Sequence, residues 1–362
     1  MFGKGMAVCR VVVVAIVWWL LVGQALASVG YRQVVLDHPK AGHLKVDLWY
    51  PAGSNEGQVK KTFDLRDQLP EHKSRLLPPH VNTTQKCECY EDAPMETVIP
   101  PSGYPLIIHS HGVAAYSSVS LSQITHLAEK GYVVMAANHP GSNLRDVFDS
   151  KFASALRADA AVDAKLIIQW LRKSGENSPL LEIRKRIDLE NIGLIGHSLG
   201  GGIGALVNEP GVKAFMALAS PFVTDVKGEI HFMALVGGND RMFSPQRLYD
   251  SFQEVPVAEK YFVELRKFGH ISFTDMCSIG GGEGGLLELM YRYKLIRPLY
   301  KMVLGPFLGR IIDCEDSEVP HGLRVALINE ITAMFMDHSL YGRSDIDLVG
   351  VQRRYGEWVV LR

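Results

Sequence analysis

Ile192-Gly193-Leu194-Ile195-Gly196-His197-Ser198-Leu199-Gly200-Gly201-Gly202 decides the reading of this chain. The apolar residues Ile192 to Ile195 read as a buried strand, and the segment Leu199 to Val207 reads as a helix. Between them stands a serine with glycine two residues before and two after. A strand that turns this sharply into a helix leaves no room for side chains at those two positions. The serine then projects from a strained turn with its hydroxyl exposed, and the helix points its N-terminus at it. A bare Gly-x-Ser-x-Gly is a modest signal. The strand before it and the helix after it make it specific.

A serine hydroxyl is a weak nucleophile and needs a base. In this architecture an acid and then a histidine follow the serine in chain order. Asp240 stands in Gly237-Gly238-Asn239-Asp240-Arg241, just after an apolar strand over Ile230 to Val236. His270 stands in Phe268-Gly269-His270, after a strand over Tyr261 to Leu265. All three residues fall at carboxyl ends of expected strands, where open α/β sheets place their sites. His270 is expected to take the Ser198 proton, and Asp240 to orient the imidazole. Acyl transfer also needs donors for a developing oxyanion, each typically worth about 2.7–4 kcal/mol. The Leu199 amide is the first. The second is expected from His109-Ser110-His111-Gly112-Val113, with the Val113 amide as the donor. His109 and His111 read as structural, His197 as packed outward, and His139 in Asn138-His139-Pro140-Gly141 as a pocket residue.

Outward from this centre, strands alternate with helices. Strands are expected at Tyr31 to Leu36, Leu44 to Tyr50, Leu106 to His109, Tyr132 to Ala137 and Ala214 to Leu218; helices at Ser117 to Lys130 and Phe152 to Lys173. Such alternation means βαβ units and a mainly parallel sheet. Residues 52–103 are polar, rich in charge and proline and without sustained period, and read as an excursion from the core.

Three stretches together resemble one branch of a known superfamily: Leu48-Trp49-Tyr50-Pro51, His109-Ser110-His111-Gly112, and Gly196-His197-Ser198-Leu199-Gly200-Gly201. The chain resembles the platelet-activating factor acetylhydrolase and dienelactone hydrolase branch of the α/β-hydrolases over roughly residues 31 to 340, the excursion excepted. The resemblance implies an α/β-hydrolase fold, a mainly parallel central sheet flanked by helices. It implies Ser198, Asp240 and His270 as the triad and Val113 and Leu199 as oxyanion donors. Dienelactone hydrolases proper use a cysteine nucleophile; the serine here disfavours lactone hydrolysis.

Composition and termini set the context. The 362 residues are 47% hydrophobic and 21% charged, an ordinary globular balance. With 38 Lys+Arg against 39 Asp+Glu there is no basic excess for nucleic acid. Lys4 and Arg10, the apolar run 11–22 and Ala25-Leu26-Ala27 read as a signal peptide cleaved before Ser28. Residues 28–362 then form one hydrolase domain, exported to a periplasmic or extracellular space, with 36 bases against 39 acids, a net charge of −3. Cys87, Cys89, Cys277 and Cys314 remain, an even number suited to disulfides. A Cys87–Cys89 pairing ranks last, because it closes a very small ring.

The expected function is hydrolysis of a small-molecule ester, short-chain or lipid-like, without cofactor or metal. The alternatives are a serine peptidase or amidase, which the same triad serves, and a catalytically inactive hydrolase fold used for binding. The Gly280–Gly285 run precedes an apolar, cationic stretch at 286–310. The segment at about 280–312 reads either as a lid making transient contact with lipid surfaces or, in the preferred reading, as a helix packed on the core with its cations solvated.

Overall fold

The computed structural model describes residues 28–151, 159–173, 181–221, 229–280, 285–295, 314, 319–343 and 345–362. The signal segment 1–27, the first turns expected of the 152–173 helix, and residues 296–310 of the cationic stretch lie outside these.

Eleven strands form one sheet: β1 (Ser28–His38), β2 (Gly42–Ala52), β3 (Lys60–Asp64), β4 (Thr84–Glu91), β5 (Tyr104–Ser110), β6 (Val133–Ala137), β7 (Ile187–His197), β8 (Val212–Leu218), β9 (His231–Gly237), β10 (Glu259–Leu265) and β11 (Val359–Leu361). The order is β11-β10-β9-β8-β7-β5-β6-β2-β1-β4-β3. The six strands from β10 to β6 are mutually parallel. β2 runs antiparallel to β6, and β11 antiparallel to β10. Every residue of β5 and β6 is buried, as a strand covered on both faces requires.

Alternation along these strands splits the core in two. Leu106, Ile108, Ile192 and Leu194 face one layer, with Ile167, Ile168 and Leu171 of the helix Ala160–Lys173. Ile107, Val134 and Ile195 face the other, with Ile124 and Leu127 of the helix Leu121–Glu129 and Leu327, Ile331 and Phe335 of the helix His321–Met336. β7 lies between β5 and β8, so the turn after it opens at the middle of the sheet.

The segment 52–103 extends the sheet with β4 and the edge strand β3. Its outward positions carry Lys60–Glu88 and Lys61–Glu91 ion pairs, and charge on an edge discourages pairing with other chains. Its inner part supplies Leu65, Leu69 and Leu77 to a third apolar cluster. That cluster also holds Ala115, Tyr116 and Val119, together with Leu286, Leu289, Met290 and Leu295 on and beside the helix Gly285–Arg292. Lys73 donates from Nζ to the Leu295 carbonyl at 2.5 Å. The described part of the cationic stretch is therefore packed, and Arg292 pairs with Glu288 on its outer face. Among the described residues no helix is long and apolar enough to cross a membrane.

The cysteines correct one expectation. Cys87 pairs with Cys89, the pairing ranked last, and Cys277 pairs with Cys314. The register of β4 against β3 shifts between Lys60↔Tyr90 and Thr62↔Lys86, so four steps on β4 oppose two on β3. This bulge brings the Cα atoms of Cys87 and Cys89 to 5.0 Å, with both side chains buried on the same face. A regular extended strand would hold them farther apart. Titration of the unreduced, denatured protein cleaved before Ser28 is expected to find no free thiol. Two or more free thiols would remove one of the pairs.

Candidate active site

Ser198 follows β7 directly and has φ +53°, in the left-handed region that side chains rarely adopt. The turn is as tight as the glycine spacing requires. A Cβ on Gly200 would lie 2.4 Å from the Ser110 carbonyl oxygen, which backbone contact forbids. Ser220, just past β8, donates its hydroxyl to the Ser198 carbonyl at 2.6 Å and pins the turn from the other side. Such strain concentrates where a side chain must be presented in one orientation.

Asp240 lies three residues past the end of β9, and His270 five past the end of β10. Backbone bonds from Gly238 to Leu265 and from Asn239 to Phe268 tie the two loops together. His270 Nε2 is 2.8 Å from Ser198 Oγ, and its Nδ1 is 2.9 Å from Asp240 Oδ2. The other Asp240 oxygen accepts the amides of Met242 at 2.7 Å and Phe243 at 3.0 Å. Asp240 and His270 are buried, so the line from carboxylate to hydroxyl is shielded from water.

The oxyanion loop abuts the serine. A Cβ on Gly112 would lie 2.9 Å from Ser198 Cβ, so only glycine lets the backbone come this close. Val113 follows at the turn, and among the described residues its amide has no acceptor. Leu199 is the second residue of the 3-10 helix Ser198–Leu206, where first-turn amides are left without helical partners.

Two histidines depart from expectation. His197 is buried, not packed outward: its Nε2 donates to the His270 carbonyl at 2.8 Å. The residue before the nucleophile thus holds the base. Nothing in the local sequence marks it, because its partner is 73 residues away. His139, expected as a pocket residue, lies under the oxyanion loop. Its Nδ1 meets Asp163 Oδ2 at 2.7 Å and its Nε2 meets Ser110 Oγ at 2.8 Å. His38 meets the second Asp163 oxygen at 3.0 Å. The Ser110–His139–Asp163 set repeats the order of a triad, but Ser110 is fully buried and no substrate reaches it. It braces the loop instead: the His139 amide donates to His111 Nε2, and His111 Nδ1 donates to the Gly112 carbonyl. A polar cleft of about 970 Å³ opens beside His38 and Asp163, but neither Ser198 nor His270 lines it.

Burial holds His197 at about 3 and His109 at about 4, and drives His111 well below the usual histidine range. All three are neutral in the folded protein near pH 7. The unfolded chain, with histidines near 6.5, takes up protons that the folded chain refuses. Stability contributed by these groups is therefore complete above about pH 6.5 and falls as pH drops towards 4. Each proton contributes a slope on the order of 1.4 kcal/mol per pH unit. Urea unfolding at pH 7, 5.5 and 4.5 should show this fall, and His197→Asn should lessen it by one group's share. A pH-independent unfolding free energy over that range would contradict the neutral assignment.

Comparison with known proteins bears on the fold and on the first part of the chain. A ferulic acid esterase from Streptomyces cinnamoneus superposes with a TM-score of 0.65 at 18% identity, covering 94% of this chain and 97% of that one. The fold is that of an α/β-hydrolase. A cold-adapted esterase from an Arctic intertidal metagenomic library matches at a TM-score of 0.43 and 14% identity, over 79% of this chain and 95% of the other. Residues 23–148 match the family described as platelet-activating factor acetylhydrolase, isoform II. That match bears out the resemblance read from the sequence. It contains the Trp49-Tyr50-Pro51 strand and the His109–Gly112 loop, and it ends before the nucleophile turn. No curated protein matches the chain.

Proposed function

We propose that this α/β-hydrolase cleaves carboxylic esters through an acyl-enzyme. The carrying observation is the unbroken line Ser198 Oγ–His270 Nε2, 2.8 Å, and His270 Nδ1–Asp240 Oδ2, 2.9 Å. His270 accepts the hydroxyl proton as Ser198 Oγ attacks the carbonyl carbon. It returns that proton to the departing alkoxide, then activates the water that releases the acid. Asp240 holds the Nδ1–H and stabilises the transient imidazolium. The amides of Val113 and Leu199 receive the oxyanion. The family match over residues 23–148 supports ester rather than amide hydrolysis.

The substrate reading is a short-chain or lipid-like ester. Net charge near zero offers no field to steer a polyion. The apolar cluster of Ala115, Tyr116, Leu286 and Leu289 continues directly from the oxyanion loop, and exposed Leu199 adds an apolar edge beside the serine. The protein is exported in this reading. The N-terminal pattern and the two cysteine pairs support an oxidising compartment. Sequencing of the secreted form should begin at Ser28.

The test is a p-nitrophenyl ester series from acetate to longer acyl chains, beside the matching p-nitroanilides. Turnover of the esters, with a preference among chain lengths, supports the reading. Preferential turnover of the anilides would favour a peptidase, and no turnover of either would favour a binding protein.

A further inference from the structure

We propose that His231, Glu259 and His338 form a binding site for a divalent transition-metal ion, zinc in an exported protein, at the end of the sheet opposite Ser198. No spacing in the sequence marks it. His231 opens β9, Glu259 opens β10, and His338 lies in the π-turn Asp337–Tyr341 that closes the helix His321–Met336. One ligand atom from each lies within 4.8 Å of the other two. Glu259 presents both oxygens: Oε1 is 2.6 Å from His338 Nε2 and Oε2 is 3.3 Å from His231 Nε2. The two imidazoles are stacked, with centroids 5.0 Å apart and planes 30° from parallel. A tetrahedral ion with bonds of about 2.0–2.1 Å spaces its ligands by roughly 3.3 Å, so only small shifts are needed. Two imidazoles and a carboxylate suit zinc far better than calcium or magnesium, which prefer oxygen.

The surroundings orient these ligands as outer partners of metal sites do. Ser339 Oγ lies 3.1 Å from His231 Nδ1, and Tyr261 donates its hydroxyl to Glu259 Oε1 at 2.8 Å. When Ser339 accepts from Nδ1, the Nε2 lone pair of His231 faces a carboxylate oxygen at 3.3 Å. A proton or a metal cation placed between them satisfies both acceptors. The π-turn supplies both a ligand, His338, and the orienting Ser339, and such turns recur at functional sites. All three ligands are partly buried, between 21% and 36% exposed, which leaves a fourth position for water. The neighbouring Asp337 is turned away, accepting the Tyr132 hydroxyl at 2.6 Å. Parallel strands put the starts of β9 and β10 far from Asp240 and His270, so the ion clamps the end of the helix His321–Met336 to the sheet and takes no part in ester chemistry.

The test uses the mature chain, stripped with EDTA and titrated with Zn²⁺ by calorimetry. One ion per chain is expected, with a dissociation constant at or below micromolar, and a rise in Tm on adding Zn²⁺ but not Mg²⁺. His231→Ala and His338→Ala should each weaken binding at least 100-fold and abolish the Tm rise. His338→Asn keeps a donor towards Glu259 but lacks the imidazole, so it serves where alanine disturbs folding. His80→Ala, an exposed histidine elsewhere, should leave binding unchanged. Absence of Zn²⁺ binding, or equal affinity in the His231 and His338 variants, would overturn the proposal.

Discussion

Ser198→Ala is expected to lower kcat for a p-nitrophenyl ester by about 10⁵–10⁶-fold, the loss seen when a triad serine is removed from a well-evolved hydrolase. The change deletes one oxygen. It leaves the turn at φ +53°, the Ser220 bond to the residue 198 carbonyl and the contact of Gly200 with the Ser110 backbone in place. His270 also keeps its bonds from His197 and to Asp240. Stability should therefore change by no more than about 1 kcal/mol, the scale of one hydrogen bond. Activity collapses because the bond-forming atom is gone, and KM should move little if ground-state contacts survive. An alkyl fluorophosphonate should label the wild type at Ser198 and leave the variant unlabelled. Labelling that persists in Ser198→Ala would remove Ser198 as the nucleophile.

The reading of the central sheet and of the three aligned side chains rested on local chemistry. A strand, a glycine-flanked serine and a helix constrain one another within a dozen residues. Asp240 and His270 each follow an apolar strand, and parallel strands put such positions at one edge. Where the sequence was silent, the determining contact was distant or the element short. β11 has three residues and pairs with β10 only after the chain has folded back. β3, at the sheet edge, and β4 beside it each have an exposed face and are half polar, so no unbroken apolar run announced them. The Cys87–Cys89 pairing depends on a bulge that exists only against β3. His139 and His197 are polar residues whose burial is decided by Asp163 and by the His270 carbonyl, far along the chain. The cluster of His231, Glu259 and His338 belongs to the same class: three elements meet, and no motif records it.

Asp240→Asn should cost about 10⁴-fold in kcat, the size of the loss when a triad acid is replaced by its amide elsewhere. The structure gives a reason specific to this site. Asp240 Oδ1 accepts the amides of Met242 and Phe243, both half-buried donors in the turn after β9. An asparagine must keep its carbonyl oxygen there, since turning the amide over would set its NH₂ against two N–H groups and leave them unsatisfied. Its NH₂ is thereby fixed towards His270 Nδ1. Nδ1 must then accept, the ring proton moves to Nε2, and Nε2 faces Ser198 Oγ as a donor. The base cannot take the serine proton in that tautomer. Nitrogen-15 NMR of His270 should show Nε2 protonated in the variant and Nδ1 protonated in the wild type at neutral pH. The fold should persist, since volume and turn bonds are unchanged. Asp240→Ala, lacking the misdirecting NH₂ but leaving Nδ1–H unpaired, should lose activity without this tautomer signature. Turnover near wild type in Asp240→Asn would mean that a different carboxylate orients His270.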